Sequence, residues 1–261
     1  MNPQDSSGGK VEERFKLERL QAIRSLEREH FWFLGRRELI LRYLRKLPAL
    51  GGGRLLDLGS GTGHFLEELA QSCGGEDFRS IGLDFRVEGL LEGRQRFPAM
   101  DFIRGDAERL PFEEGSFDLI TAFDVLEHLD DRKAIPEIRR TLKQGGHFLA
   151  TVPIGPWLYS YRDRDAGHRR RYRRKELFPL LEGNGLRVRS WSYYQFTLFP
   201  LLAVSRCLGK NQRGWRDAEE RVPPLVNRAF AWINRTEARC SRYLRLPYGS
   251  SLVVCCKKES R

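Results

Sequence analysis

The chain has 261 residues, 40% of them hydrophobic, and a formal net charge of +11. That length and apolar share allow one substantial core and suggest a single domain with additions rather than two equal domains. The basic excess predicts attraction to phosphates, anionic lipid or nucleic acid and is silent on fold. Five cysteines, Cys73, Cys207, Cys240, Cys255 and Cys256, show no metal-ligand spacing, and their odd number argues against a disulfide framework, which points to a reducing, cytoplasmic compartment.

Residues 1–10 are polar and read as a disordered tail, and "MNPQDSSGGKVEE" lacks the apolar core of a signal peptide. Residues 11–50 read as a helical cap, in which "RRELILRYLRKL" places Leu39, Ile40, Tyr43, Leu44 and Leu47 on one face. "GGG" at 51–53 breaks that pattern, and residues 51–261 read as the main domain. Its strands are "RLLDLG" from 54, "SIGLDF" at 80–85, "MDFIRGD" at 100–106, "FDLITAFD" at 117–124, "GHFLATVP" at 146–153, "LRVRSWSYY" from 186 and "SSLVVCCKK" at the end. Their apolar residues do not alternate cleanly, as expected for strands buried on both faces. Helical crossovers such as "HFLEELAQ" and "KELFPLLEGNG" separate them. The expected fold is α/β: a doubly wound, seven-stranded, mostly parallel sheet with N-terminal helices and a helical insertion before the last strand.

The insertion, 195–248, is basic and aromatic. Its run "FTLFPLLAV" is too short to span a bilayer. From Pro223 to Arg245, Leu225, Ala229, Trp232, Ile233, Thr236, Cys240, Tyr243 and Leu244 share a helical face, with Arg228, Arg235, Arg239 and Arg242 beside it. Such a helix packs that face on its own domain or lies at a membrane surface.

The stretch "LLDLGSGTGHF" carries the chemistry. In an open α/β sheet, ligands bind beyond the carboxyl ends of the strands, and glycines in the first βα turn let backbone approach them. Gly59, Gly61 and Gly63, with Ser60 between them, follow a G-x-G-x-G spacing and not the G-x-G-x-x-G of dinucleotide sites. Asp57, two residues ahead, is a poor neighbour for a pyrophosphate and a good one for an ammonium or for the amides that grip one. The ligand expected is zwitterionic and lacks a diphosphate: S-adenosylmethionine, whose carboxylate suits amides at a helix start. A nicotinamide oxidoreductase is disfavoured on the same grounds. Asp84, followed by Phe85, ends the second strand where a carboxylate accepts from ribose hydroxyls. Asp106 and the Ala107 backbone are placed to meet adenine, and Asp124 ends the fourth strand near the sulfonium. Asp57 itself either bonds the loop's own backbone or touches ligand.

"LLDLGSGTG", "GLDF", "GDAERLPF", "SFDLITAFDVLEHLDD" and "LKQGGHFLATVP" resemble the class I S-adenosylmethionine-dependent methyltransferases, particularly the ubiquinone/menaquinone type, over about residues 50 to 190. The flanks "EHFWFLGRRELI" and "GHRRRYRRKEL" resemble a bacterial subset whose acceptors are mostly unassigned. The resemblance implies a Rossmann-like methyltransferase fold and S-adenosylmethionine as cofactor. It also implies that Arg36 sits on a lid and pairs with the methionine carboxylate; the alternative is that His30, Phe31, Trp32 and Phe33 simply pack this helix on the sheet. Asp124, Glu127 and His128, at i, i+3, i+4, would share one helical face as a ligand set. Methyltransferases that hold a cation with a similar run usually begin it with Glu and need a further ligand, so no metal is expected and His128 is expected to line the pocket.

His128 and His168 are the candidate bases, because histidine titrates near neutral pH. Eight Lys/Arg against three Asp/Glu fall between Arg162 and Glu176. There Arg169, Arg170, Arg171 or Arg173, with Tyr172 among them, is a candidate for meeting an anionic acceptor. The expected activity is methyl transfer to an anionic small-molecule or lipid-linked acceptor, with peripheral contact to anionic membrane at its inner surface. The alternatives are an RNA methyltransferase, for which no RNA-binding module is evident, and a non-catalytic cofactor-binding partner at the membrane.

Overall fold

The computed structural model describes residues 29–47, 52–73, 78–208, 222–241, 243–244 and 246–259. The expected tail, the first part of the expected cap, residues 209–221 of the insertion, Arg242 and Arg245 lie outside the described residues. Seven strands form one sheet: β1 (Arg54–Leu58), β2 (Arg79–Asp84), β3 (Asp101–Arg104), β4 (Phe117–Phe123), β5 (Leu142–Pro153), β6 (Leu186–Tyr194) and β7 (Ser251–Lys258). Their spatial order is β3-β2-β1-β4-β5-β7-β6. β3 to β5 across the sheet are parallel neighbours, and β7 runs antiparallel to both β5 and β6. The strand order reverses between β1 and β4, which opens a crevice at their carboxyl ends.

Helices cover both faces: α1 (Phe31–Leu44), α2 (His64–Cys73), α3 (Val87–Arg96), α4 (Asp131–Thr141), α5 (Tyr161–Ala166), α6 (Arg174–Gly183), α7 (Phe199–Leu208) and α8 (Pro224–Cys240). Leu56, Ile120 and Phe148 face one layer with Ile135, Ile138, Leu177 and Leu181 of α4 and α6. Leu55, Leu119 and Leu149 face the other with Leu39, Ile40, Leu66, Leu69 and Leu90 of α1, α2 and α3. Consecutive residues of each central strand thus enter opposite cores, which is why the strands read as unbroken apolar runs. Each fully buried aliphatic side chain contributes about 1.5–3 kcal/mol.

The insertion departs from the first of the two readings of its apolar stripe, packing on its own domain. α8 packs against α1 with its polar face: Phe31 N donates to Asn227 Oδ1 at 2.8 Å and Asn234 Nδ2 to the Phe31 carbonyl at 3.3 Å. Glu237 accepts from the amides of Phe196 and Thr197 at 3.0 and 2.7 Å. The residues expected to pack inward are mostly outside, with Leu225 79% and Trp232 69% exposed and Ala229, Cys240, Tyr243 and Leu244 also exposed. The physical reason lies in the backbone groups that α8 meets: the first amide of α1 has no partner within its helix and takes Asn227, and the amides of Phe196 and Thr197 after β6 take Glu237, hydrogen bonds that an apolar face lacks.

Candidate active site

The bend after β1 is built by glycines with two distinct constraints. Gly59, Gly61 and Gly63 all adopt left-handed φ of +68°, +53° and +73°. A Cβ on Gly59 would lie 2.5 Å from a Val125 methyl, and one on Gly63 would lie 2.4 Å from the Phe102 ring, so both are also packed tight. A Cβ on Gly61 would meet nothing within 4 Å. Gly61 is therefore the place where backbone faces open space.

Asp57 is 4% exposed, and its Oδ1 accepts from the Thr121 hydroxyl on β4 at 2.6 Å. The partner is thus neither the loop's own backbone nor a group foreseen from the sequence. Burial pushes its pKa up to about 7, against the Thr121 hydrogen bond that holds it down, and the Asp84 charge adds to the rise. A carboxyl poised this way is stabilised in its charged form by an ammonium placed beside it.

Asp84 closes the bend: its two oxygens accept from Gly61 N at 2.9 Å and Arg86 N at 2.8 Å. Each oxygen retains a lone pair. Phe85 next to it is largely exposed, its ring 5.7 Å from the Arg104 guanidinium. Asp106 Oδ1 accepts from Glu108 N at 2.8 Å, which shapes the turn after β3 and leaves the carboxylate exposed over a buried Ala107.

Asp124 sits just past β4 at φ +57°, a left-handed position unusual outside glycine. It does not share a helical face with Glu127 and His128, because the backbone there forms a short 3₁₀ turn, Leu126–His128. Its carboxylate instead pairs with Arg36, whose guanidinium lies 4.5 Å from the Trp32 ring centre. α1 therefore delivers Arg36 to the crevice and packs its aromatics as well. Glu127 is fully buried, and neither of its oxygens accepts a hydrogen bond from another residue. Burial, with the Asp124 charge adding to it, lifts its pKa well above the ordinary carboxylate range. The His128 and His168 rings are 4.8 Å apart, so these two candidate bases share one spot. Burial and the neighbouring His168 lower the His128 pKa.

The basic stretch is more committed than its composition suggested. Arg171 is buried and donates to Asp163 at 2.7 Å, Arg170 to Asp131 at 3.1 Å, and Arg173 pairs with Glu176 at 3.2 Å. Tyr172 is buried, its hydroxyl donating toward the Leu126 carbonyl and Asp131 at 3.0 and 3.1 Å. Asp163, which the sequence did not single out, is the hub: it accepts from His168 at 3.0 Å, Arg171 at 2.7 Å and Arg206 of α7 at 2.8 Å. Burial pushes its pKa up, but the His168 hydrogen bond and the two arginines outweigh that and hold it well below the ordinary range. A cleft of about 460 Å³ lies apart, around Arg94, Met100 and Phe102, and one of about 300 Å³ around Ile154, Tyr172 and Tyr193 borders the basic stretch.

Residues 56–150 match the model of a methyltransferase domain. A protein of Mycolicibacterium smegmatis named "Probable S-adenosylmethionine-dependent methyltransferase" is 32% identical over 171 residues, 64% of this chain and 64% of its own length. Residues 56–150 of the chain thus carry a methyltransferase domain. A demethylmenaquinone methyltransferase of Renibacterium salmoninarum is 40% identical over 102 residues, 39% of this chain and 41% of its own length. The chain thus spans between two fifths and two thirds of the length of these relatives. The fold is also that of a geranyl diphosphate methyltransferase solved with GPP and sinefungin, at 15% identity and a TM-score of 0.59, covering 85% of this chain and 76% of that one.

S-adenosylmethionine, for which the Mycolicibacterium smegmatis relative is named, fits the residues present. Gly61 leaves its backbone open to a ligand, Asp57 is a buried carboxyl beside a second acid, and Asp84 holds the bend from the neighbouring strand.

Proposed function

We propose that this protein is an S-adenosylmethionine-dependent methyltransferase whose acceptor is anionic and lipid-linked and is met at an anionic membrane surface. The observation that carries the methyl-transfer reading is the placement of Asp57, Asp84, Asp106 and Asp124 at or just beyond the carboxyl ends of four neighbouring strands, around the open backbone at Gly61. Gly59, Ser60, Gly61 and Gly63 would face the amino-acid end of the cofactor, with Asp57 beside its ammonium and Arg36 its carboxylate. Asp84 and Phe85 would hold the ribose, and Asp106 and Ala107 the adenine. When bound, the cofactor supplies a methyl group already activated by a sulfonium. The protein's work is then alignment, which supplies about 7–11 kcal/mol of barrier lowering. A side chain that takes a proton from the acceptor is supported at His168, whose Nδ1 is oriented by Asp163.

Three features support the acceptor class. The aromatic cluster of Trp157, Phe196, Phe199 and Tyr248, with rings 4.8–5.9 Å apart, follows β5 and precedes β7, so it lies at the carboxyl edge of the parallel strands. Leu225 and Trp232 project from α8 beside Arg228, Arg235 and Arg239, a combination suited to an anionic lipid interface. The Renibacterium salmoninarum relative is named for a quinone acceptor. No helix among the described residues is long and apolar enough to cross a membrane. Calorimetry with S-adenosylmethionine tests the first half: saturable binding weakened by Asp84→Ala is expected, and its absence overturns the reading. Radiolabelled methyl donor incubated with fractionated lysate tests the second; label in lipid is expected, and label in RNA overturns the acceptor class.

A further inference from the structure

Glu127 has no part in the cofactor reading given above. Its carboxylate is fully buried, and neither oxygen accepts a hydrogen bond from another residue. An unpaired carboxyl in such a place costs several kcal/mol unless something compensates it. What surrounds it is informative. His168 Nε2 lies 3.9 Å from Glu127 Oε1, and one ligand atom from each of Glu127, His128 and His168 falls within 4.8 Å of the other two.

The two imidazoles are oriented from behind. His128 Nδ1 lies 3.3 Å from the Gly167 carbonyl. A carbonyl only accepts, so this nitrogen carries the proton and Nε2 the lone pair. His168 Nδ1 lies 3.0 Å from Asp163 Oδ1, and Asp163 is held as a carboxylate by Arg171 and Arg206. That contact fixes the same tautomer in His168. A carbonyl and a carboxylate behind two histidines is the outer arrangement by which proteins aim imidazole lone pairs at a metal.

We infer that Glu127, His128 and His168 form a binding site for one divalent transition-metal ion, with a carboxylate oxygen and two imidazole nitrogens as ligands and a fourth position left open. Two nitrogens and one oxygen suit zinc or cobalt and disfavour magnesium, which prefers oxygen. Ligand bonds of about 2.0–2.1 Å in tetrahedral geometry place ligand atoms about 3.3 Å apart, so the three side chains need to close by up to about 1.5 Å. The set joins the turn after β4 to the loop after α5, which are 39 residues apart at the His128–Gly167 contact. It excludes Asp124, which pairs with Arg36. The metal site stands on its own geometry. Only its role rests on the methyl-transfer reading: in that reading an oxygen of the acceptor would take the open position and be polarised there, and His168 would serve as a ligand in place of the proton-accepting role it has in the metal-free site.

The test uses the full chain without an affinity tag, stripped with chelator and then loaded with zinc, cobalt or magnesium and dialysed. One equivalent of zinc per chain should be retained, magnesium should not, and the cobalt form should show the intense visible absorption of a tetrahedral ion. Glu127→Gln, close to isosteric, and His168→Asn should each weaken zinc binding at least 100-fold. Asp163→Asn, which touches no metal, should weaken it about 10- to 100-fold. Circular dichroism checks that each variant is folded, and His128→Asn replaces any that is not. Failure to retain zinc, or retention unchanged in Glu127→Gln and His168→Asn, overturns the inference. Calorimetry of S-adenosylmethionine on the same metal-free protein reads the cofactor separately, so failure of one assignment is not mistaken for failure of the other.

Discussion

The two ends of the sheet reversal solve opposite problems. In the segment from β1 to the turn after β4, backbone and acid side chains are held open: Gly61 faces empty space, Asp57 is buried with its pKa raised, and Asp84 fastens the bend. In the insertion between β6 and β7, polar groups are consumed inward, by α1 and by Asp163, and the apolar side chains are left on the surface. The first region accepts instability to stay ready for a ligand. The second exposes apolar area that a water-soluble fold has no use for, and both are places where structure is subordinated to something that binds.

The largest effect that would sharpen this contrast is within the glycine bend itself. Gly59→Ala puts a methyl into Val125 at a left-handed φ, so thermal unfolding should show a loss of about 2–4 kcal/mol from overpacking and backbone strain together. Gly61→Ala meets no neighbour and should cost about 1–2 kcal/mol, the strain alone, yet weaken S-adenosylmethionine binding at least tenfold. Wild-type affinity in Gly61→Ala would reduce the bend to a turn without ligand.

Asp57 gives a pH-dependent version of the same point. Its folded pKa of about 7 stands above the ordinary aspartate value of 3.8, so between those pH values folding takes up a proton and stability falls as pH rises. Above about 7 the full cost is present. Asp57→Asn keeps an oxygen for the Thr121 hydroxyl and removes the charge, so the variant should equal the wild type near pH 4 and exceed it by about 2–4 kcal/mol at pH 8, read by denaturant melts. The same substitution should weaken the cofactor. A variant neither stabilised at pH 8 nor impaired in binding would remove Asp57 from the site. Asp84→Ala follows in size: losing the acceptor for Gly61 N and Arg86 N, together with any ribose contact, should lower cofactor affinity about 10- to 100-fold.

How much of this could be read from the chain divides along the same line. All seven strands and the acids at their tips were legible, because strands buried on both faces write themselves as apolar runs and because glycine spacing reports a backbone that only glycine adopts. Asp163 was not legible. Within "DRDAGHRRRY" a composition reading sees a solvated charge run, whereas the fold buries one aspartate under two arginines and a histidine, one of the arginines contributed from α7. Glu127 was visible only as part of a helical pattern that the backbone does not follow. Such groups are set by contacts distant in sequence, to which periodicity is blind.

Which face α8 buries is left open by the sequence for a related reason, and it yields the smallest effect. Helical periodicity finds the apolar stripe correctly but assumes that the partner surface is apolar too. Here the partner is the start of α1, whose amide needs Asn227 and whose carbonyl takes Asn234. Asn234→Leu should therefore destabilise by about 1–3 kcal/mol although it makes the buried face more hydrophobic. Trp232→Ala and Leu225→Ser should change stability by less than about 0.5 kcal/mol, since both side chains already stand in water. Flotation with vesicles containing anionic lipid separates the meanings of that exposure: Trp232→Ala should weaken association while Asn234→Ser, if folded, should not. If Trp232→Ala instead unfolds the protein, the tryptophan is covered by its own chain and the contrast between the two regions falls with it.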